Sequence, residues 1–170
     1  MSANTLPFVL ATLKSFDIAR LPVWLFGGWA EEAWGISAPH PHYDIDLLYV
    51  APTFDALDQY IDQTSTFTEI RAKRFSHKRA VLHQGVMIEF ILVEPQIEGY
   101  RSRFFIDLYE LAWPHDLLDY QLPIQTTFVP VASKAALDVY RHNHSHIEAA
   151  YQTYCQFSHN GYLNADSLSC

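Results

Sequence analysis

Two aspartates, Asp44 and Asp46, begin an apolar stretch and are separated by one isoleucine. If this stretch is a β-strand, its side chains alternate between two faces, so both carboxylates point one way and Ile45 points into the core. Like charges this close together are unfavourable unless a cation lies between them. Magnesium takes carboxylate oxygens and leaves its other positions to water and substrate phosphates. The spacing therefore predicts a divalent metal site.

A glycine pair, Gly27-Gly28, lies upstream between a short apolar strand, Val23–Phe26, and a helix that we expect from Trp29 to Trp34. Glycine lets the backbone approach a phosphate closely, and the free N–H groups and dipole of a following helix favour an anion. Glycines, a helix start and an Asp-x-Asp strand, in this order and at this short separation, predict a nucleotide pocket.

The segment from Leu25 to Val50 resembles the nucleotidyltransferases that inactivate lincosamide and aminoglycoside antibiotics. Their pattern is roughly Gly-Gly-Trp-Ala, a short helix, a Gly, and then Arg-x-His-x-Asp-x-Asp-Leu. The matching residues here are Gly27, Gly28, Trp29, Ala30, Gly35, His42, Asp44, Asp46 and Leu47. The arginine position of the pattern is occupied by His40, which removes one cation that the resembling enzymes carry.

A third acid, Glu89, interrupts the apolar run VMIEFILV. A carboxylate on such a strand costs free energy unless it is paired or bound to metal. In the resembling families an acidic residue at this place completes a carboxylate triad. The resemblance thus implies that Asp44, Asp46 and Glu89 are catalytic and hold two Mg²⁺ ions, with Glu89 as a ligand or as the base for the acceptor's proton.

The resemblance also implies a nucleoside triphosphate as co-substrate, with ATP as the expected one, and a small hydroxylated molecule as acceptor. Five of the 11 basic residues lie between positions 71 and 79, and a triphosphate needs cations. Arg79 is nearest to an arginine that the resembling enzymes carry ahead of the third acid. The predicted nucleotide contacts are Gly27, Gly28, His42 and Arg79, and the small lincosamide enzymes imply a homodimer.

Composition narrows the function classes further. The formal net charge of −8 over 170 residues argues against binding of long nucleic acid, which favours a basic surface. We expect a cytoplasmic protein, because the first residues lack the features of a signal peptide and no stretch is apolar for the length of a membrane span. Cys155 and Cys170 are expected to be free thiols in a reducing compartment.

The predicted fold class is α/β (α+β), a mixed and partly antiparallel sheet flanked by helices, of the nucleotidyltransferase type. Apolar periodicity predicts helices over 5–18, 52–62 and 134–157 and strands over 67–70, 80–83, 86–93 and 128–133, whereas 95–113 gives no clear pattern. Residues 1–110 are expected to form the core, and residues 111–170 a C-terminal strand and helical extension of the same compact unit.

Two other interpretations come from different functional classes. A non-catalytic, nucleotidyltransferase-like module could bind a nucleotide or a protein partner without turnover. Alternatively, His40, His42 and Asp44 partly match the His-x-His-x-Asp-His signature of metallo-β-lactamase-like zinc hydrolases, with further histidines at 142, 144 and 146. The match ends at Asp44, because Ile45 occupies the position of the final histidine of the signature.

Overall fold

A computed structural model describes residues 4–159. Within this range the helices are α1 (Leu6–Ile18), α2 (Gly27–Ala33), α3 (Asp55–Gln63) and α4 (Lys134–His159). The strands are β1 (Val23–Phe26), β2 (Asp44–Val50), β3 (Phe67–Glu69), β4 (Lys78–His83), β5 (Val86–Pro95), β6 (Tyr100–Phe104), β7 (Tyr109–Trp113), β8 (Tyr120–Ile124) and β9 (Thr127–Val131). A single 3₁₀ turn, Arg71–Lys73, precedes β4.

The strands form a mixed sheet in the order β3-β4-β5-β2-β1-β9-β8, and a β6–β7 hairpin extends from β5. Neighbours are parallel at β2–β5 and β1–β9 and antiparallel elsewhere. The prediction of a mixed, partly antiparallel sheet flanked by helices is therefore confirmed. None of the helices within residues 4–159 is both long and apolar enough to cross a lipid bilayer.

The central strands carry a different chemistry on each face. Ile45, Leu47, Ile88 and Phe90 are fully buried on one face, where Phe16 of α1 packs edge-on against Phe90 at 5.5 Å between ring centroids. The opposite face carries the acidic side chains and is partly covered by α4. The alternation of side chains along β2 and β5 thus separates the hydrophobic core from a polar cleft.

Tyr140 fixes α4 over the cleft face of the sheet. Its ring packs at a right angle to Phe26 of β1, with 5.2 Å between centroids, and lies parallel to Trp113 of β7. The helix begins after Ser133, whose hydroxyl accepts a hydrogen bond from the Ala136 N–H at 3.1 Å. Ser133 is therefore the N-cap of α4, and its hydroxyl satisfies one backbone donor of the first turn.

The region between positions 95 and 113, which had no clear sequence pattern, is the β6–β7 hairpin. Arg101 and Arg103 project from β6 to the buried carboxylate of Glu94. Charged residues on one face and the fully buried Ser102 on the other obscure the expected alternation of apolar and polar residues. The turn itself contains three consecutive non-glycine residues with positive φ, at positions 105–107.

The cysteine prediction is corrected by the structure. Cys155 of α4 is disulfide-bonded and so is not a free thiol. Cys170 lies outside the described residues.

His77 joins β4 to the hairpin from a buried position. Its side chain is 4% exposed, and its Nδ1 accepts a hydrogen bond from the Phe105 N–H at 3.1 Å. Three phenylalanine rings surround the imidazole. Burial, with the charges of Lys78 and Arg79, lowers the pKa of His77 to about 3. The imidazole is therefore neutral in the folded protein at physiological pH.

We expect His77 to reduce stability in mild acid. The His77 imidazole takes up a proton near pH 6.5 in the unfolded chain but only near pH 3 in the folded protein. The contribution of the neutral imidazole to the unfolding free energy is therefore complete above pH 6.5 and is lost as pH falls. The advantage of wild type over His77→Phe in unfolding free energy should shrink by about 2 kcal/mol between pH 7 and pH 5. Denaturant titrations at both pH values measure this difference.

The matched control is His115→Ala, which removes an exposed imidazole. Its unfolding free energy should follow that of wild type across the same pH range. A constant difference between wild type and His77→Phe would contradict the neutral, buried imidazole.

Candidate functional site

The carboxylates of Asp44, Asp46 and Glu89 meet at the edge of the cleft. Asp46 of β2 lies directly opposite Glu89 of β5 in the parallel register, and Asp44 is two residues earlier on the same face. One oxygen from each carboxylate lies within 4.8 Å of the others. The structure thus brings together the three acids that the sequence selected, and their oxygens form a donor set suited to a hard cation.

The protonation equilibria of these acids reflect their crowding. Burial and the charges of Asp44 and Glu89 raise the pKa of Asp46 to about 7. Burial and the charge of Glu89 also raise the pKa of Asp44. Burial alone would raise the pKa of Glu89, but the charges and hydrogen bonds of Lys78 and Lys73 outweigh it and hold that pKa below its usual value. The two lysines also act on Asp44 and Asp46, but only for Glu89 do they outweigh burial.

Lys73 and Lys78 are the cations that face this cluster, and neither was selected individually by the sequence reasoning. Lys73 Nζ lies 2.5 Å from one oxygen of Glu89, and Lys78 Nζ lies 2.5 Å from the other. Lys73 comes from the 3₁₀ turn and Lys78 from the first position of β4. The signal that pointed to them was the dense basic run between positions 71 and 79.

Arg79, the predicted phosphate contact, lies on the other face of the sheet. It pairs with Phe90 in the β4–β5 register, and its guanidinium binds Asp58 of α3 with its Nε 2.7 Å from Oδ1. The same guanidinium lies over the Phe54 ring. Because neighbouring residues on a strand point to opposite faces, the lysine before it enters the cleft and Arg79 does not.

Gly27 and Gly28 line the cleft beside the acids. A Cβ at Gly27 would lie 2.2 Å from Asp46 Oδ2, and one at Gly28 would lie 2.7 Å from His42 Nδ1. Gly27 also has a φ of +59°, a conformation that favours glycine. Gly27 requires glycine because the β1–α2 connection passes directly against the Asp46 carboxylate, and Gly28 requires it because the His42 imidazole fills the space beside it.

His42, the other predicted nucleotide contact, lies behind the glycine pair. Its Nε2 is 2.8 Å from Glu32 Oε2, and its ring packs on Trp29 with centroids 4.2 Å apart. In the described residues His42 therefore contacts the loop and α2 that support Gly28, and it does not line the cleft. Its neighbour His40 is exposed and hydrogen-bonds the Ala38 carbonyl.

The cleft has a volume of about 670 Å³. Its floor includes Asp46 and Glu89, and α4 contributes Tyr140 and Tyr151 to the opposite wall. Burial and the charges of Asp46 and Glu89 raise the pKa of Tyr140 to about 12, so its hydroxyl keeps its proton. A second part of the lining is aromatic or acidic and comprises Glu31, Phe75, Phe104, Phe105 and Glu148.

The distal histidines do not complete a zinc hydrolase site. His142 hydrogen-bonds the Asp138 carbonyl of its own helix, and His146 stacks on Tyr109. Within residues 4–159, the histidines of α4 join no group of three donors, and Asp44 groups with Asp46 and Glu89.

This architecture is a nucleotidyltransferase fold. The crystal structure of the lincosamide antibiotic adenylyltransferase LnuA, bound to lincomycin, matches with a TM-score of 0.66 at 14% identity, over 88% of this chain and 98% of that one. ANT(2″)-Ia in complex with adenylyl-2″-tobramycin matches with a TM-score of 0.61 at 18% identity, over 89% of each chain.

A candidate nucleotidyltransferase from Thermotoga maritima matches with a TM-score of 0.56 at 17% identity, over 92% of this chain and 97% of that one. No protein-family model matches the sequence, and the curated proteins contain no significant sequence match. The likeness is therefore one of fold, and it confirms the predicted fold type.

The two glycine environments predict different effects of an added methyl group. Gly27→Ala should destabilise the protein by more than the roughly 1–2 kcal/mol that a left-handed L-residue costs, because its Cβ also overlaps Asp46. Gly35→Ala is the matched control, since Gly35 has a φ of +70° and nothing within 4 Å of the added Cβ. Denaturant unfolding of both variants measures the excess, and equal losses would contradict the close approach of Gly27 to Asp46.

Proposed function

We propose that this chain is an enzyme that transfers a nucleoside monophosphate from a nucleoside triphosphate to a hydroxyl group of a small molecule. ATP is the triphosphate that we expect. The observation that carries the proposal is the convergence of Asp44, Asp46 and Glu89 beside a glycine connection at the edge of a large cleft. The fold likeness to nucleotidyltransferases supports the same conclusion.

The carboxylate cluster fits divalent metal by its chemistry. Burial, and after it the charges of the neighbouring carboxylates, raises the pKa values of Asp44 and Asp46. All three donors are oxygens, which magnesium prefers over nitrogen or sulfur. Asp44, Asp46 and Glu89 would therefore hold Mg²⁺. When bound, Mg²⁺ supplies positive charge that neutralises and polarises the phosphate oxygens.

The chain itself contributes cations and a glycine-lined backbone segment to the cleft that would bind the triphosphate. Lys73 and Lys78 line the cleft and are bonded to Glu89. A lysine ammonium has three donors, so each can keep its bond to Glu89 and still donate to a phosphate oxygen. Gly27 and Gly28 line the same cleft, so the β1–α2 backbone faces the space that a triphosphate would occupy.

Glu89 is better suited to bind cations than to remove a proton. Its pKa lies below the usual value for glutamate because of Lys73 and Lys78, so it is ionised and a weak base at neutral pH. The proposed reaction forms a bond between the acceptor oxygen and the α-phosphorus and breaks the bond to the pyrophosphate. The proton of the acceptor hydroxyl passes to solvent or to a carboxylate of the cluster.

The cleft offers the acceptor an aromatic wall with acids at its rim. Phe75, Phe105 and Tyr151 present ring surfaces, and Glu31 and Glu148 lie at the same cleft. Such a lining favours a small molecule with apolar and polar faces over a long polyanion. Lincomycin and tobramycin, which occur in the structures of two proteins of similar fold, are suitable first acceptors for an assay. We also retain a homodimer and a cytoplasmic location as predictions.

Pyrophosphate release tests the proposed reaction. Purified protein would be incubated with ATP, Mg²⁺ and either acceptor, and the products would be identified by mass spectrometry. We expect pyrophosphate and a nucleotidylated acceptor in equal amounts. If ATP binds with Mg²⁺ but no tested hydroxylated acceptor gives pyrophosphate, the chain is a binding module and the enzymatic proposal is wrong.

Asp44→Asn and Asp46→Asn should each abolish Mg²⁺-dependent binding of ATP. Each removes a carboxylate oxygen from the predicted metal site, and each also relieves repulsion from the neighbouring acids, so the unfolding free energy should not fall. Thermal shift with ATP, in the presence and absence of Mg²⁺, measures the effect. The control is Asp62→Asn, at an exposed position near the end of α3. Full Mg²⁺-dependent stabilisation of both site variants would contradict the assignment.

Glu89→Gln separates metal binding from base catalysis. As a ligand, Glu89 should affect both turnover and the Mg²⁺ concentration needed for half-maximal rate. A pure general base would contribute about 10²–10⁴-fold to turnover and leave the Mg²⁺ dependence unchanged. We expect the first pattern, because Lys73 and Lys78 keep Glu89 a weak base. Steady-state rates over a Mg²⁺ titration decide between the two roles, and near-normal turnover would exclude both.

A further inference from the structure

A second group of metal-type donors lies beside the carboxylates and takes no part in the proposed reaction. It consists of Glu32 of α2 with His40 and His42 of the loop that joins α2 to β2. One donor atom from each residue lies within 4.8 Å of the others. Two imidazoles and one carboxylate form a donor set that zinc uses with water in its fourth position.

His40 is oriented as a metal ligand would be. Its Nδ1 lies 3.0 Å from the Ala38 carbonyl oxygen, which can only accept a hydrogen bond. Nδ1 therefore carries the proton, and Nε2 keeps a lone pair that can bind a cation. A backbone carbonyl that fixes the tautomer in this way is the usual outer partner of a zinc-bound histidine. The side chain is exposed, so water has access to the metal position.

Glu32 and His42 form the more buried side of the group. The His42 side chain is 5% exposed and that of Glu32 is 21% exposed, with Nε2 and Oε2 2.8 Å apart. Two ligands of a tetrahedral zinc ion, each about 2.05 Å from the metal, lie about 3.3 Å apart. Zinc could therefore replace the shared proton after the two atoms separate by about 0.5 Å.

We propose that Glu32, His40 and His42 bind Zn²⁺, with a water molecule as the fourth ligand. The two imidazole nitrogens favour zinc over magnesium, whereas the all-oxygen carboxylate cluster has the opposite preference. Asp44 is not part of this zinc site, since it belongs to the group of Asp46 and Glu89. The site is therefore distinct in ligands and in metal preference from the one used in the proposed reaction.

The position of this site gives it a structural consequence. His42 supports Trp29 through ring contact and leaves room only for glycine at position 28. Asn4 donates hydrogen bonds to the carbonyl oxygens of His42 and Asp44, which fixes the chain entering β2. Zinc would cross-link α2 to this segment and hold the glycine connection and the start of β2 in one arrangement.

Zinc titration calorimetry on chelator-treated protein tests the proposal without any activity assay. Excess Mg²⁺ would be present to occupy the carboxylate cluster. We expect one Zn²⁺ per chain. Loss of an outer-shell partner typically weakens zinc binding about 10–100-fold, so loss of a ligand in His40→Ala or Glu32→Gln should weaken it at least about 100-fold. Co²⁺ in place of Zn²⁺ should give the visible absorption of a four-coordinate site.

The matched control is His142→Ala, which also removes an exposed imidazole whose Nδ1 contacts a backbone carbonyl. Its zinc affinity should equal that of wild type, and circular dichroism would check that all variants are folded. Absence of zinc binding by wild type in excess Mg²⁺ would overturn the proposal. So would unchanged affinity in His40→Ala, or a loss in His142→Ala, which would place the metal on α4.

Discussion

The parallel pairing of β2 with β5 is the constraint on which the rest of the site depends. It sets Asp46 directly opposite Glu89 and leaves Asp44 on the same face, so that three carboxylates meet in a partly buried place. Ion burial is tolerated only with compensating charge. Lys73 and Lys78 provide this for Glu89, whereas the pKa of Asp46 remains raised. The fold thus holds an electrostatic arrangement that a divalent cation would relieve.

The hydrophobic core makes this arrangement sustainable. The same two strands bury Ile45, Leu47, Ile88 and Phe90 on their opposite face, against α1 and its neighbours. Burial of each large apolar side chain contributes roughly 1.5–3 kcal/mol, so the core can offset the cost of crowded acids on the other side. One face of each strand therefore stabilises the protein, and the other is available for chemistry.

The face of β4 from which each basic side chain projects decides whether it lines the cleft. Lys78 and Arg79 are neighbours in sequence, yet the strand directs one to Glu89 and the other to Asp58. The guanidinium of Arg79 links β4 to α3 through Asp58 and lies over the Phe54 ring, so Arg79 stabilises the fold. The buried His77, which immediately precedes Lys78, contributes to the packing of the hairpin. Three adjacent residues thus have three separate environments.

The sequence by itself indicated that Asp44 and Asp46 share one face and that a glycine pair precedes a helix, because alternation along a strand and the conformational demands of glycine are local properties. Glu89 was selected through the family resemblance, and the β2–β5 register places it opposite Asp46. The sequence also indicated most helices and strands through apolar periodicity. Only the tertiary structure decided that Arg79 turns away, that Lys73 and Lys78 face Glu89, and that His42 joins Glu32 behind Gly28. The β6–β7 hairpin and the state of Cys155 were likewise not predictable. These features depend on strand register and on contacts between distant segments, which the order of residues does not reveal.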